Sequence, residues 1–383
     1  MTVVAHSPSG DVVDMSVADP TGRAEVGIEA DSLVSTIFPG EITTSTKEIS
    51  VVTTAPPSDG SELTIHGPFH NSTPPLIVGV LQLDGPNLNT ATYFNVRLGC
   101  VTVRVAQLPA TIDVAGCNMG SDQNLDVLVR GYHDVAGTPQ LDGYGAGRVM
   151  MTNGVATFSV PSWLSSGPAV AVTLTGIQPT LAWTMHVDGL EFLSEPVGAY
   201  AYTGLVVDQT SIEATIPAAH GARITTRTVA GTPSTITLAD SDFLPALESV
   251  PAAPTVTPTT IEWAAAGTGG DALHVHATWT VAVKVSSVVP PGPHLVVWDA
   301  IVPPDATSVT LPRLDGDLQT TIAPSGIAPS DLVLRAIDSS ALDGLAALVA
   351  AGIHAEETMQ PAAIVEPPLD GEVRVTQSVG AAQ

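Results

Sequence analysis

The sequence predicts an all-β protein, built from several antiparallel β-sandwich units with one short C-terminal helix. Short segments of alternating apolar and polar residues recur along the chain, as expected of half-buried strands. The 34 glycines and 32 prolines fall between these segments, where they act as turn residues. Hydrophobic residues make up 44% of the chain and aromatic residues only 4%, so aliphatic side chains must fill the cores. Only one segment has the length and end signals of a helix.

The first predicted element is a β-hairpin near the N-terminus. Alternating residues at 11–17 and 23–28 flank the turn sequence Ala18–Gly22. The stretch Val-Ala-Asp-Pro-Thr-Gly-Arg-Ala-Glu-Val resembles the carboxypeptidase regulatory-like, or transthyretin-like, β-sandwich, a small secreted domain. The resemblance covers residues 1–45 and implies a truncated copy, because the family normally has one or two strands before this hairpin. Either the true start lies upstream, which would also have removed a signal peptide, or the hairpin packs on the next domain.

The middle of the chain is predicted to form a central sandwich over residues 46–195. Residues 196–250 are an additional β unit or an extension of it. Turn residues separate the apolar segments at short intervals, which is typical of a sandwich or barrel. The predicted strands are Leu63–Ile65, Leu76–Leu83, Ala91–Leu98, Val101–Val105, Ile112–Ala115, Leu125–Tyr132, Arg148–Thr152, Val155–Val160, Val170–Thr175, Leu181–Val187, Ala199–Val207, Ser211–Ile216, Ala222–Val229 and Ser234–Leu238. The Gly-rich run at 143–147 lacks the residues of a phosphate loop and is interpreted as a mobile connection between strands.

A Pro- and Ala-rich linker at Pro245–Pro258 leads into the last predicted domain, residues 255–383. The tryptophans of this segment lie inside apolar strands and are expected in the core. Their pattern resembles a fibronectin-III-like sandwich, and the chain as a whole resembles the multi-sandwich secreted and envelope proteins of bacteria. The predicted elements are the strands Thr260–Trp263, Leu273–Val285, His294–Val302, Ser308–Leu311 and Glu372–Gln377, and the helix Ser340–Ile353.

The two cysteines, Cys100 and Cys117, are predicted to form a cross-strand disulfide. If Gln107–Ala110 is a hairpin loop, one register pairs thiol with thiol, apolar with apolar residues, and Arg104 with Asp113. Two free thiols are the alternative, and zinc fits poorly because no histidine lies nearby. Disulfides persist where thiols are oxidised, so the pairing favours a location outside the cytoplasm, in the periplasm, at the cell surface or in the medium.

The charge balance limits the classes of partner. The chain has 12 basic and 38 acidic side chains, a formal net charge of −26. Nucleic acids and anionic membranes both require clustered Lys and Arg, so neither is expected as a partner. No apolar run reaches the roughly 18 residues of a transmembrane helix. The N-terminus shows neither the basic nor the apolar region of a signal peptide, which stands against the predicted location.

Two places have residues that could ligate a metal. His274 and His276 lie two apart on a predicted strand and therefore on one face, where they could hold Zn²⁺ or Cu²⁺ if His294 or a carboxylate joined them. The oxygen-rich turn sequence that contains Asp84, Asn87 and Asn89 is the candidate for Ca²⁺, although these residue types are also ordinary in turns. Otherwise the sequence implies no cofactor.

Three aromatic residues are candidates for stacking on a ligand, and no motif indicates a catalytic site. Trp163 lies in a turn and is the candidate for stacking on a ligand, with Tyr144 and Tyr132 as further candidates. No Gly-x-Ser-x-Gly motif occurs, and with 38 acidic residues the sequence does not nominate a glycosidase pair. No catalytic residue is therefore assigned.

The leading hypothesis is a non-enzymatic extracytoplasmic protein, a surface, adhesion or binding module that contacts protein or carbohydrate. The absence of catalytic motifs, the array of β units and the predicted disulfide favour it. One alternative is a hydrolase whose carboxylates and histidines come together on sandwich loops without a sequence motif. Another is a jelly-roll shell protein, which is disfavoured because the chain has no basic arm.

Overall fold

The structure is a computed structural model, and it is all-β, as the sequence predicts. Strands account for 62% of it and helix for 4%. It describes residues 1–38, 47–56, 63, 65–66, 79–98, 101–114, 124–165, 170–187, 190–192, 201–202, 209–231, 235–248, 251–252, 259–264, 269–283, 292–314, 322, 329–342, 344–351, 353–354 and 371–380.

The strands are numbered β1 to β26 in chain order. The first nine are β1 (Thr2–His6), β2 (Val12–Val17), β3 (Leu33–Phe38), β4 (Lys47–Thr54), β5 (Ile65–His66), β6 (Val80–Asp84), β7 (Tyr93–Leu98), β8 (Val101–Val105) and β9 (Ala110–Asp113). The next nine are β10 (Asn124–Val135), β11 (Thr138–Met150), β12 (Val155–Ser159), β13 (Val170–Thr175), β14 (Thr180–Val187), β15 (Leu190–Phe192), β16 (Ala201–Tyr202), β17 (Gln209–Ala218) and β18 (Gly221–Ala230). The last eight are β19 (Thr235–Ala239), β20 (Thr260–Glu262), β21 (Ala272–Val283), β22 (Gly292–Val302), β23 (Ser308–Thr310), β24 (Asp331–Ser339), β25 (Ile353–His354) and β26 (Glu372–Val379). A 3₁₀ turn covers Asp240–Asp242, and the helix α1 covers Gly344–Ala351.

The chain forms two compact units, each discontinuous in sequence. Unit 1 contains residues 1–70, 215–225 and 241–383, and unit 2 contains residues 71–214 and 226–240. The first and last parts of the chain therefore fold together in unit 1.

Unit 1 is built on a mixed sheet in which β26, β24, β21, β22, β4, β3, β1 and β2 follow one another. The pairings are antiparallel except for β22 with β4, which is parallel. The strands at its centre are buried on both faces, so they form near-continuous apolar runs rather than clean alternation. One face carries the main core, in which Trp279 and Trp298 are buried edge to face, as the sequence predicts.

The other face of this sheet is apolar where α1 covers it. Leu348 and Val349 of the helix pack against Ile301 and Ile337 of the sheet. The helix is six residues shorter than its predicted span of 340–353. The carboxylate of Asp271 accepts the backbone N–H of Gly344 and so satisfies one of the unpaired donors at the helix start. Beyond the covered region, this face becomes polar.

Unit 2 contains a four-stranded sheet, β11-β10-β7-β8, and two three-stranded sheets, β12-β6-β9 and β16-β13-β19. Its core lies between the first two, with Phe94 and Val129 on one side and Phe158 and Val160 on the other. The Gly-rich run at 143–147 is not a mobile connection, because it lies within β11. A Cβ on Gly145 would come within 2.5 Å of Val160, and one on Gly147 within 2.6 Å of Phe158, so only glycine lets the two layers approach here.

Both predicted hairpins are wrong. The segment 23–28 forms no strand, and β2 pairs with β1, which the sequence reading left unassigned. The predicted turn does form, since the backbone N–H of Asp19 donates to the carbonyl of Arg23.

The hairpin predicted between the two cysteines is also wrong, because β8 pairs with β7 and β9 pairs with β6, in different sheets. Arg104 therefore lies opposite Asn95 and not opposite Asp113. Ile112 of β9 is buried in the unit 2 core, and Val103 and Val105 of β8 pack against the same core from the other sheet.

Candidate functional site

A cluster of buried polar side chains lies on the α1-covered side of the unit 1 sheet, beyond the helix. His274 and His276 share this face of β21 because side chains alternate along a strand, as predicted. The register places Asp299 of β22 directly opposite His276, and Arg335 of β24 directly opposite His274. All four are at most 8% exposed. We call His274, His276, Asp299 and Arg335 the buried cluster.

The hydrogen bonds of the buried cluster fix the proton positions. Arg335 Nη1 is a donor and lies 3.2 Å from His274 Nδ1, so Nδ1 must hold a lone pair. His274 therefore carries its proton on Nε2, which donates to Asp299 Oδ1 at 3.0 Å. His276 Nδ1 donates to the same oxygen at 2.8 Å. The carboxylate thus accepts from two imidazoles, and a neutral His274 separates it from the guanidinium.

Burial and hydrogen bonding set the charges of this cluster. Burial lowers the pKa of His274 to about 4, against the effect of Asp299, which agrees with the neutral tautomer. Burial also acts to raise the pKa of Asp299, but the hydrogen bonds from His274 and His276 hold it at about 2. Burial lowers the pKa of Arg335, and Asp299 acts against that shift. The cluster thus contains the anion of Asp299 and the cation of Arg335, and opposite charges buried together are how proteins tolerate buried charge.

His276 of the buried cluster lies near an exposed carboxylate. Its Nε2 lies 3.9 Å from Oδ2 of Asp331, whose side chain is 52% exposed. His294, the third predicted ligand, lies opposite Val281 and therefore on the other face of the sheet from His274 and His276. No group of three or more His, Cys, Asp or Glu side chains suited to a metal occurs in the described ranges. The predicted carboxylate partner exists, but it binds the two imidazoles itself.

A second buried network in unit 1 runs across the main core. Trp298 Nε1 donates to Thr53 Oγ1 at 2.9 Å, Thr53 and Ser35 share a bond of 2.7 Å, and Ser35 Oγ lies 2.8 Å from His6 Nε2. The carbonyl of Ser7 can only accept, so a neutral His6 carries its proton on Nδ1 and its Nε2 accepts from Ser35. Each hydroxyl then gives its one proton toward His6, and Thr53 accepts from the indole N–H of Trp298. Its Nδ1 faces the carbonyl of Ser7 at 3.1 Å. Burial lowers the pKa of His6 to about 4, so this imidazole is neutral as well.

Unit 2 presents a different kind of cluster, on the side of its four-stranded sheet that faces away from the core. Arg104 lies with its guanidinium carbon 3.5 Å from the ring centre of Tyr93. Tyr93 stacks on Tyr132 with ring centres 5.6 Å apart, and Arg130 lies 6.0 Å beyond Tyr132. We call Arg104, Tyr93, Tyr132 and Arg130 the Arg–Tyr ladder. Arg104, at one end of the ladder, is exposed, whereas Tyr93 and Arg130 are buried and Tyr132 is half-buried.

The three predicted stacking residues have different surroundings. Tyr144 is only 1% exposed, so it offers no ring to a ligand and this prediction is wrong. The indole N–H of Trp163 donates to the carbonyl of Pro86 at 2.7 Å, and its ring stacks on Phe94. Tyr132 belongs to the Arg–Tyr ladder. Stacking on a ligand stays a prediction for Trp163 and Tyr132.

The predicted calcium ligands lie at one end of β6. Asp84, Asn87 and Asn89 are all exposed. The carboxylate of Asp84 accepts the backbone N–H of Gly85 at 2.7 Å, as in an ordinary turn. Calcium binding at this turn stays a prediction. Both Cys100 and Cys117 lie outside the described residues, so the disulfide also stays a prediction, now without the hairpin register that supported it.

Sequence reasoning missed Asp299, Arg335 and the Arg–Tyr ladder. A lone acid in the apolar run Leu-Val-Val-Trp-Asp-Ala-Ile-Val and a lone arginine in Leu-Val-Leu-Arg-Ala-Ile were signals, because a charge inside a buried strand needs a partner. The ladder had no local signal, since its residues come from three strands.

No protein-family model and no curated protein sequence matches this chain. In the part of the chain that the structure describes, no helix has the length and apolar character needed to cross a membrane.

Proposed function

We propose that this protein is a non-enzymatic β-sandwich module that acts outside the cytoplasm as a surface, adhesion or binding component. The observation that carries the proposal is the closure of the buried cluster. The imidazoles and the carboxylate best suited to chemistry bind one another and an arginine, and none is more than 8% exposed. A catalytic acid or base must come within hydrogen-bond reach of its substrate. These groups instead stabilise the centre of a sheet.

The location outside the cytoplasm is supported by the two cysteines, as a predicted disulfide. Its test is mass spectrometry of the protein purified from its host cells without reductant. We expect Cys100 and Cys117 to resist alkylation until a reductant is added. Alkylation of both thiols without reductant would contradict the proposed location.

The binding role is tested with the full chain and isolated cell envelopes of the host. We expect the folded protein to sediment with envelopes, and the heat-unfolded protein serves as the control. The variant His276→Gln should sediment equally well, since the buried cluster has no part in binding. Failure of the folded protein to sediment under any ionic strength would contradict the proposal.

One observation favours a second candidate, a hydrolase. Asp299 orients the imidazole of His276, whose other nitrogen faces the exposed side at Asp331, and this is the geometry of a carboxylate-assisted general base. A panel of ester, amide and glycoside substrates separates the two candidates. Turnover that disappears in His276→Gln and remains in the matched variant His133→Gln would favour the hydrolase.

A further inference from the structure

The last strand of the unit 1 sheet exposes apolar side chains. Strand β2 ends the order of this sheet and, among the described strands, pairs with β1 alone. Its residues Val12, Met15 and Val17 are 42%, 55% and 71% exposed. The register places Met15 opposite Val4 of the main core, and Val12 opposite the buried His6, two residues further along the same face. The three side chains therefore continue the core face to the edge of the sheet, where they contact solvent.

The backbone of β2 also has groups that point away from the sheet. The N–H of Ala18 donates to the carbonyl of Met1, and hydrogen-bonded pairs alternate along an antiparallel ladder. The N–H and C=O groups of Met15 and Val17 therefore point outward. The N–H of Met15 donates to the carboxylate of Asp14 at 2.8 Å, whereas the outward groups of Val17 have no partner within the described ranges. Such an edge can pair with another strand.

The segment that follows β2 lies beside this edge without pairing with it. Residues 23–28 return from the turn at Asp19, and exposed residues alternate with half-buried ones as in a strand, but they form no ladder with β2. The backbone N–H of Gly27 donates instead to the carboxylate of Asp14 at 2.7 Å. A side chain thus takes the place that a backbone carbonyl has in a paired strand. Because this bond is exposed to water, an incoming strand can replace it at little cost.

We propose that the edge of β2 binds an extended segment of a partner protein in which cationic and apolar residues alternate. The backbone of that segment extends the sheet, and its apolar side chains pack on Val12, Met15 and Val17. Its cationic side chains lie on the opposite face, which is the face of Asp14. The inference rests on the proposed binding function and names the partner.

Charge determines which occupant fits this edge. Residues 11–31 contain six acidic side chains, all exposed, and Arg23 is the one basic residue among them. Hydrogen bonds from the backbone N–H groups of Gly27 and Met15 lower the pKa of Asp14, so this carboxylate is an anion at neutral pH. A second copy of the chain would bring another net charge of −26 to the contact, which opposes edge-to-edge dimers. A cationic strand is attracted instead.

The test is a calorimetric titration of the full chain with a short peptide of alternating lysine and valine, which we expect to bind. A peptide of alternating glutamate and valine should not bind. The lysine peptide with N-methylated amides should not bind either, since it keeps its charge but cannot donate hydrogen bonds to a ladder. Hydrogen exchange of the Val17 amide should become slower when the lysine peptide is bound.

Two methionine variants locate the binding site. Met15→Lys puts a positive charge in the apolar contact, as natural edge strands do to prevent pairing, and should weaken binding of the lysine peptide about 10-fold or more. The matched control Met150→Lys makes the same change at a methionine of unit 2 that is 63% exposed, and it should leave binding unchanged. Both side chains are exposed, so the thermal unfolding of both variants should stay close to that of the parent.

The inference fails if the lysine peptide does not bind, if its N-methylated form binds equally well, or if Met15→Lys binds it as tightly as Met150→Lys does. A dimer of the full chain that Met15→Lys dissociates, measured by sedimentation velocity, would assign the edge to a second copy instead. If the chain sediments with envelopes but does not bind the lysine peptide, this inference fails and the proposed function stands. If it does neither, both fail.

Discussion

Arg335 of unit 1 and Arg104 of unit 2 occupy opposite kinds of environment. Arg335 is 6% exposed, donates to His274 and Gln377, and offsets the charge of Asp299 in the same cluster. Arg104 is exposed, stacks on Tyr93 and lies opposite Asn95 of the neighbouring strand. Arg335 belongs to a closed hydrogen-bond network, whereas the guanidinium of Arg104 stays accessible to solvent. Burial therefore separates these two arginines more sharply than residue type does.

The largest loss of stability is expected from a substitution in the buried cluster. Asp299→Ala removes the carboxylate that accepts from two buried imidazoles. Each buried donor left without its acceptor costs about 1–3 kcal/mol, so we expect the free energy of unfolding, measured with urea, to fall by about 2–6 kcal/mol. The matched control is Asp11→Ala, which breaks the exposed pair with Arg313 and should cost about 0–1 kcal/mol. Similar losses in both variants would contradict a closed cluster.

The next effect is a loss of stability in acid. The pKa of His6 is about 4 in the folded protein and 6.5 in the unfolded chain, so protonation favours unfolding. The stabilisation is complete above pH 6.5 and is lost as the pH falls toward 4, by about 3 kcal/mol for a shift of this size. His274, whose pKa also falls to about 4, adds to the loss in the same window. Unfolding measured from pH 8 to pH 4 checks this.

His6→Gln sharpens the acid prediction, because an amide oxygen can accept from Ser35 but does not titrate. The variant should lose less stability than the parent between pH 6.5 and 4. An unchanged slope would show that His6 does not take part in the acid transition.

A smaller loss of stability is expected from the second buried network, in which two hydroxyl groups connect Trp298 to His6 across the main core. Thr53→Val keeps the shape of the side chain but leaves the buried N–H of Trp298 without its acceptor, which costs about 1–3 kcal/mol. The comparison variant is Thr278→Val, whose hydroxyl bonds Ser330 at the surface, where water can replace the bond. Urea unfolding should show a much smaller change for this second variant.

The smallest effect on stability is expected from Arg104, at the exposed end of the Arg–Tyr ladder. Arg104→Ala removes an exposed side chain and one cation–π contact, so the free energy of unfolding should fall by less than about 1 kcal/mol. Thermal unfolding of the variant provides the measurement. A loss as large as that of Asp299→Ala would mean that Arg104 supports the fold, and the contrast between the two units would disappear.

Most strands were predicted close to their observed bounds, whether half-buried or buried on both faces. The predicted Val101–Val105 and Val170–Thr175 match β8 and β13 residue for residue, and Leu273–Val285 and His294–Val302 correspond to the central strands β21 and β22. The central strand β24, with Arg335 in its middle, was missed. Of the buried cluster, only the placement of His274 and His276 on one face could be predicted from the sequence. That relation is local, whereas Asp299 and Arg335 arrive from other strands.

By itself, the sequence determined that the chain is all-β, where most strands lie, and which side chains share a face, because alternation acts within a single strand. Only the tertiary structure decided which strands are neighbours. The parallel pairing of β4 with β22 brings Thr53 to Trp298, 245 residues away. The backbone hydrogen bonds of one edge are nearly the same as those of another, so strand order depends on how distant segments bury their side chains together.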